Sequence, residues 1–75
     1  MWIMGQNEKS IFNSERFSGI HICTISEEKY IITGIDKRTG AEIDLAKYDS
    51  EIKAKEVLLD MMANITNTRY IMPLN

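Results

Sequence analysis

Tyr30-Ile31-Ile32-Thr33-Gly34-Ile35, then Asp36-Lys37-Arg38-Thr39-Gly40, then Ala41-Glu42-Ile43-Asp44-Leu45-Ala46-Lys47-Tyr48, is the run that decides the fold. A β-branched stretch leads into a polar turn, and Gly40 can supply the positive φ that a hairpin bulge needs. The return strand alternates. Ala41, Ile43 and Leu45 are expected to face inward, Glu42 and Asp44 outward. The run therefore predicts an antiparallel hairpin. Upstream, Phe17–Ser26 places Ile20, Ile22 and Thr24 on one face and Gly19, His21, Cys23 and Ile25 on the other, a further half-buried strand. Trp2-Ile3-Met4 and Ser10-Ile11-Phe12-Asn13 read as two short strands. The polar turn Gln6-Asn7-Glu8-Lys9 separates them, and Ser14-Glu15-Arg16 closes the second.

Downstream of Tyr48 the period changes. Asp49-Ser50 offers a helix N-cap, with Glu51 in the first turn where a carboxylate suits the helix dipole. Ala54, Val57, Leu58, Met61 and Ile65 form one apolar stripe at helical spacing, and Glu51 and Lys55 form a solvent-side pair. The poor helix formers Asn64–Thr68 end the helix. Pro73 biases Met72 towards extended geometry, so Tyr70–Leu74 is expected as an extended tail. The fold class is α+β: a four- to five-stranded antiparallel meander over 1–48, one amphipathic helix over 50–65 packed on a face, and an extended tail over 66–75, all in one domain.

The chain has 75 residues, near the lower limit of what folds alone. A core of this size rarely supplies more than about 3–5 kcal/mol of net stability, so short chains lean on disulfides, metals or partner subunits. With one cysteine, Cys23, there is no intrachain disulfide, and Cys23 with the single His21 cannot complete a tetrahedral zinc site. A homo-oligomer is the expectation that follows. Nine Lys and Arg against eleven Asp and Glu give a net charge of −2, with the basic residues scattered, which argues against nucleic acid as a partner. No stretch approaches a membrane span, and Met1–Met4 lacks the character of a signal peptide. A reduced cysteine and no export signal fit the cytoplasm. In that setting the sequon Asn64-Ile65-Thr66 is read as chance.

Three motifs carry a resemblance. The start Trp2-Ile3-Met4-Gly5-Gln6-Asn7 is similar to a "W-I-x-S-Q-D" opening. Leu45-Ala46-Lys47-Tyr48 with Ala54-Lys55-Glu56-Val57-Leu58 is similar to an "L-G-x-Y … A-K-E-V-L" junction, and Tyr70-Ile71-Met72-Pro73 to a "Y-x-M-P" tail. Together they resemble a set of small uncharacterised proteins of Firmicutes genomes and their phages. This chain departs from the set's pattern at Gly5, Asn7 and Ala46, where Ser, Asp and Gly are usual. The resemblance implies a fold and a mobile-element setting in a bacterial host cell, and no reaction.

Catalytic chemistry finds little to build on. His21 and Cys23 share a strand face, as a nucleophile pair or two metal ligands would, but no third partner stands nearby and a buried free Cys is an ordinary small hydrophobe. Glu42 and Asp44 share a face opposite Ile43 and Leu45, which makes them solvated. Gly5, Gly34 and Gly40 have no phosphate-loop spacing. No catalytic residue, metal or cofactor is expected. Binding has better candidates. Ile52, Leu59 and Met62 lie beside the main helical stripe, and Leu59 and Met62 are the expected oligomer contact. Trp2, Tyr48, Arg69 and Tyr70, with Arg16 and Arg38 for anion contact, are the candidate residues for a protein partner or a small anionic, nucleotide-like ligand. The expected role is a non-enzymatic accessory protein that antagonises a host process by occupying a protein surface or sequestering such a ligand. The alternative is a structural subunit of a larger assembly.

Overall fold

Hydrogen bonding divides the strands into two sheets. The structure, a computed structural model, describes residues 1–74; the last position of the expected tail segment lies outside them. Among the described residues the elements are β1 (Trp2–Met4), β2 (Ile11–Asn13), a 3-10 turn (Ser14–Arg16), β3 (Phe17–Ser26), β4 (Lys29–Asp36), β5 (Glu42–Tyr48), α1 (Glu51–Ala63) and β6 (Arg69–Ile71). The chain is α+β. Strands β3-β4-β5 form an antiparallel meander, while β2-β1-β6 form a second small sheet. This corrects the expectation of a single meander followed by a tail. Residues 69–71 pair in parallel with β1, setting Trp2 opposite Arg69, Ile3 opposite Tyr70 and Met4 opposite Ile71. The ladder continues through Trp2 N–H to the Thr68 carbonyl at 2.8 Å and Met72 N–H to the Met4 carbonyl at 3.1 Å.

The hairpin forms where the turn chemistry places it. Gly40 has φ +74°, and the N–H of Asp36 donates to the carbonyl of Ala41. The return strand differs from a plain alternation. Ile32 pairs with Ala46 but Thr33 pairs with Asp44, so Leu45 is an extra residue, a β-bulge. The bulge resets the phase: Leu45, Ala46 and Tyr48 are all buried, whereas Ala41, expected inward, is exposed. The carbonyl of Leu45 accepts the N–H of Gln6 at 2.9 Å. Gln6 then uses its whole side chain. Its Oε1 accepts the Lys47 N–H at 2.8 Å, and its Nε2 donates to the carbonyls of Pro73 at 3.2 Å and Leu74 at 3.0 Å.

Helix α1 begins at its cap, with Ser50 Oγ accepting the N–H of Lys53 at 3.1 Å, and carries the Glu51–Lys55 pair at 2.8 Å. Ala54, Val57 and Met61 are buried against the large sheet. The helix stops at Ala63, short of the expected 65. Asn64 turns its amide back onto the Asp60 carbonyl, and Ile65 is left outside the stripe and exposed. The core joins both sheets to the helix through Ile3, Phe17, Tyr30, Ile32, Leu45, Tyr48, Val57 and Met72 among others. Gly34 is required here by packing. A Cβ at that position would lie 2.8 Å from the Phe17 ring, which itself packs on Phe12 with centroids 6.2 Å apart.

Two substitutions test this arrangement. Gly34→Ala is expected to destabilise the chain by about 1–3 kcal/mol through overpacking against Phe17. Gln6→Ala is expected to cost about 1–2 kcal/mol, because water can reach part of what it satisfies. Urea unfolding measures both, and an unchanged midpoint for Gln6→Ala would show that the two sheets are held together without it.

Candidate functional site

Period two decides which side chains of the small sheet are free. Its inner row, Phe12–Ile3–Tyr70, turns toward the core, with Ile3 and Tyr70 buried and Phe12 partly so. Its outer face carries two cross-strand rows, Asn13–Trp2–Arg69 and Ile11–Met4–Ile71. Trp2 is 54 % exposed, Ile11 63 % and Ile71 62 %, so three large apolar side chains stand together in water around Met4. These residues and Thr68 line one shallow depression. Arg69 stands exposed at its rim, and among the described residues no carboxylate pairs with it. Exposed apolar side chains grouped on one face mark interaction sites, and Trp and Arg are the residue types that dominate binding energy there.

Of the candidates read from sequence, the structure brings Trp2 and Arg69 together on this face. It sends Tyr48 and Tyr70 the other way. Both rings are buried. The Tyr48 hydroxyl donates to the Pro73 carbonyl at 2.5 Å and that of Tyr70 to Asp60 Oδ2 at 2.6 Å, so these two are core residues rather than stacking platforms on the surface. Burial pushes the Tyr48 phenol up to about 12. Burial, reinforced by the hydrogen bond to Asp60, raises Tyr70 above the usual tyrosine range. Arg16 is engaged elsewhere: its Nε donates to Asp36 Oδ2 at 2.7 Å. Arg38 lies in the adjoining turn and is exposed.

Sequence reasoning treated Asp36 as an ordinary turn residue. The structure buries it and satisfies it. Oδ1 accepts the N–H groups of Arg38 at 2.9 Å and Thr39 at 3.1 Å, while Oδ2 holds Arg16. The Arg16 guanidinium, helped by those two amides, holds the carboxyl well below its ordinary range. The signal was present as an Asp two and three residues ahead of the turn amides, the usual Asx arrangement. Also missed were Met4, Ile11 and Ile71, which the alternation around Ile3 and Tyr70 assigns to the outer face.

Elsewhere, His21 Nε2 lies 3.9 Å from Glu42 Oε1 and Cys23 is a free thiol. Among the described residues no three His, Cys, Asp or Glu side chains gather as metal ligands, and no helix is long and apolar enough to cross a membrane. Leu59 and Met62, at 61 % and 66 % exposure, stand on the free side of α1, as does Ile52. Fold and surface together define a small α+β protein with an exposed apolar sheet face. Comparisons with protein-family models, curated proteins and solved structures find no match for this chain.

The titrations give a pH profile with a fixed sign. Asp36 takes up a proton near 3.8 in the unfolded chain and at lower pH in the folded one. Its contribution is therefore complete above about 4 and is lost as pH falls below that. Asp36→Asn is expected to be less stable than the parent at neutral pH, with the difference shrinking below about pH 4. Tyr48 has the opposite dependence. The unfolded phenol ionises near 10.0 and the folded one near 12, so stability declines across that interval and Tyr48→Phe flattens the decline. Thermal unfolding at stepped pH reads both, and parallel curves for parent and variant would contradict the assignment.

Proposed function

We propose that this chain is a non-enzymatic binding protein that covers a protein surface with the outer face of its small sheet. The observation that carries the reading is the exposed group Trp2, Met4, Ile11 and Ile71 with Arg69 at its edge. Burying the apolar side chains supplies affinity, and the unpaired guanidinium selects a partner with an acidic side chain beside an apolar patch. Trp2 would be the central anchor, since it lies on the middle strand of three.

The resemblance to small Firmicutes and phage proteins suggests the setting, an accessory protein that antagonises a host process, such as a defence, by occupying one of its surfaces. Sequestration of a small anionic signal has less support. Arg16 is neutralised by Asp36, Tyr48 and Tyr70 face the core, and the basic side chains of Arg38 and Arg69 sit on different elements. A structural subunit of a larger assembly would use the same face and differs only in the permanence of the contact.

Photo-crosslinking in the host followed by mass spectrometry tests the proposal. A protein captured by the parent chain should be lost with Trp2→Ala and weakened at least several-fold by Arg69→Ala, while Glu28→Ala leaves it unchanged. Retention of the partner by both face variants would refute the assignment. A rise in melting temperature with nucleotides, abolished by Arg69→Ala, would transfer support to the anionic ligand.

A further inference from the structure

A second surface is independent of the small-sheet face. Strand β3 is an edge of the large sheet, pairing among the described residues with β4 alone. Its ten residues contain no Lys, Arg, Asp, Glu or Pro, the residues with which exposed edges are normally protected. Register shifts at Phe17/Gly19 and Thr24/Ser26 leave Gly19–Thr24 as a regular run. Among the described residues, no turn or loop backbone group bonds to its outer edge between Gly19 and Thr24. Gly19 is open, with no atom within 4 Å of where a Cβ would stand. Beside this edge, on the helix side of the sheet, Gly19 and Ile20 share a groove with Leu58, Leu59, Met62 and Ile65. Leu59, Met62 and Ile65 are exposed at 61 %, 66 % and 63 %.

We infer that the occupant of this edge is β3 of a second copy, paired antiparallel about a two-fold axis. The unpaired backbone groups call for an extended strand, and the run is self-complementary. Residues opposite one another in an antiparallel pair share a face, so a two-fold centred on His21 or on Ile22 sets Ile20 and Ile22 of each copy on the helix side. The same axis brings the two helices together and covers Leu59, Met62 and Ile65. A six-residue strand edge alone buries too little to hold two chains, so the apolar helix flank has to contribute to the roughly 800 Å² per chain of a stable interface. Since the edge carries no formal charge, the net charge of −2 on each chain does not oppose the contact there. The product is a continuous six-stranded sheet with both small-sheet faces left open.

The native Cys23 allows a direct test, because it lies on β3 and is the only thiol. In either register its α-carbons stand roughly 8–15 Å apart across the axis, taking about 3.4 Å per residue and about 4.8 Å between strands. The full-length chain, carrying a nitroxide on Cys23, should show a two-chain mass by sedimentation and strong dipolar broadening of its spectrum. Met62→Lys should return the one-chain mass and remove the broadening with an unchanged circular dichroism spectrum, while Trp2→Ala leaves the dimer intact. Leu59→Lys serves the same purpose if Met62→Lys perturbs the fold. A one-chain mass for the unlabelled parent at all soluble concentrations, a two-chain mass without broadening, or a dimer broken by Trp2→Ala but not by either helix variant would overturn the inference. Loss of the crosslinked host partner in Trp2→Ala bears only on the small-sheet face, so the two assignments fail separately.

Discussion

The single core that holds Ile3, Tyr70 and Met72 together with Ile32, Leu45 and Tyr48, tied at its edge by the side-chain amide of Gln6, is the constraint on which the two-sheet arrangement depends. Each sheet completes its own ladder, and nothing in either ladder sets the position of the other. Gln6 adds a polar tie with both ends of its amide, accepting from Lys47 in β5 and donating to the Pro73 and Leu74 carbonyls beyond β6, while its backbone N–H donates to the carbonyl of Leu45. Leu45 and Lys47 present a carbonyl and an N–H on the free edge of β5, and Gln6 answers both. The Tyr48 hydroxyl joins the same knot through Pro73.

Around this knot the molecule uses polar groups in pairs that are fully answered. Asp36 meets one guanidinium and two amides, and Tyr70 meets Asp60. Among the described residues no buried side-chain nitrogen or oxygen lacks a partner. A small core tolerates such groups only under that condition, since each unanswered one costs a large part of a stability that is itself small. The apolar side chains are less completely housed. With one helix, the large sheet can be covered on one face only, and the small sheet has too few strands to do more than close one end.

What was legible in the sequence is what local chemistry determines. Gly40 and the alternation of Glu42 to Leu45 gave the hairpin, Ser50 gave the helix start, and the i, i+3, i+4 spacing gave Ala54, Val57 and Met61. The parallel β1–β6 pair was not legible. Each strand has three residues, too short for periodicity, and the pairing spans most of the chain. That omission also misdirected the candidate site. Tyr70 looked like a surface aromatic beside Arg69 until the pairing turned one inward and the other outward. Trp2 and Arg69 were singled out for their residue types, but only the register made them neighbours.

The parallel pair also has a consequence for the order in which the molecule can be made. Strand β3, β4 and β5 are consecutive, and their meander can close as soon as Tyr48 is available. Strand β1 is made before the meander but lacks its second neighbour until residues 69–71 have emerged from the ribosome, so until then it has only β2 to pair with. The cross-strand row holding Trp2 beside Arg69 therefore exists only once residues 69–71 are present. A truncated product would carry the meander and the helix without that row.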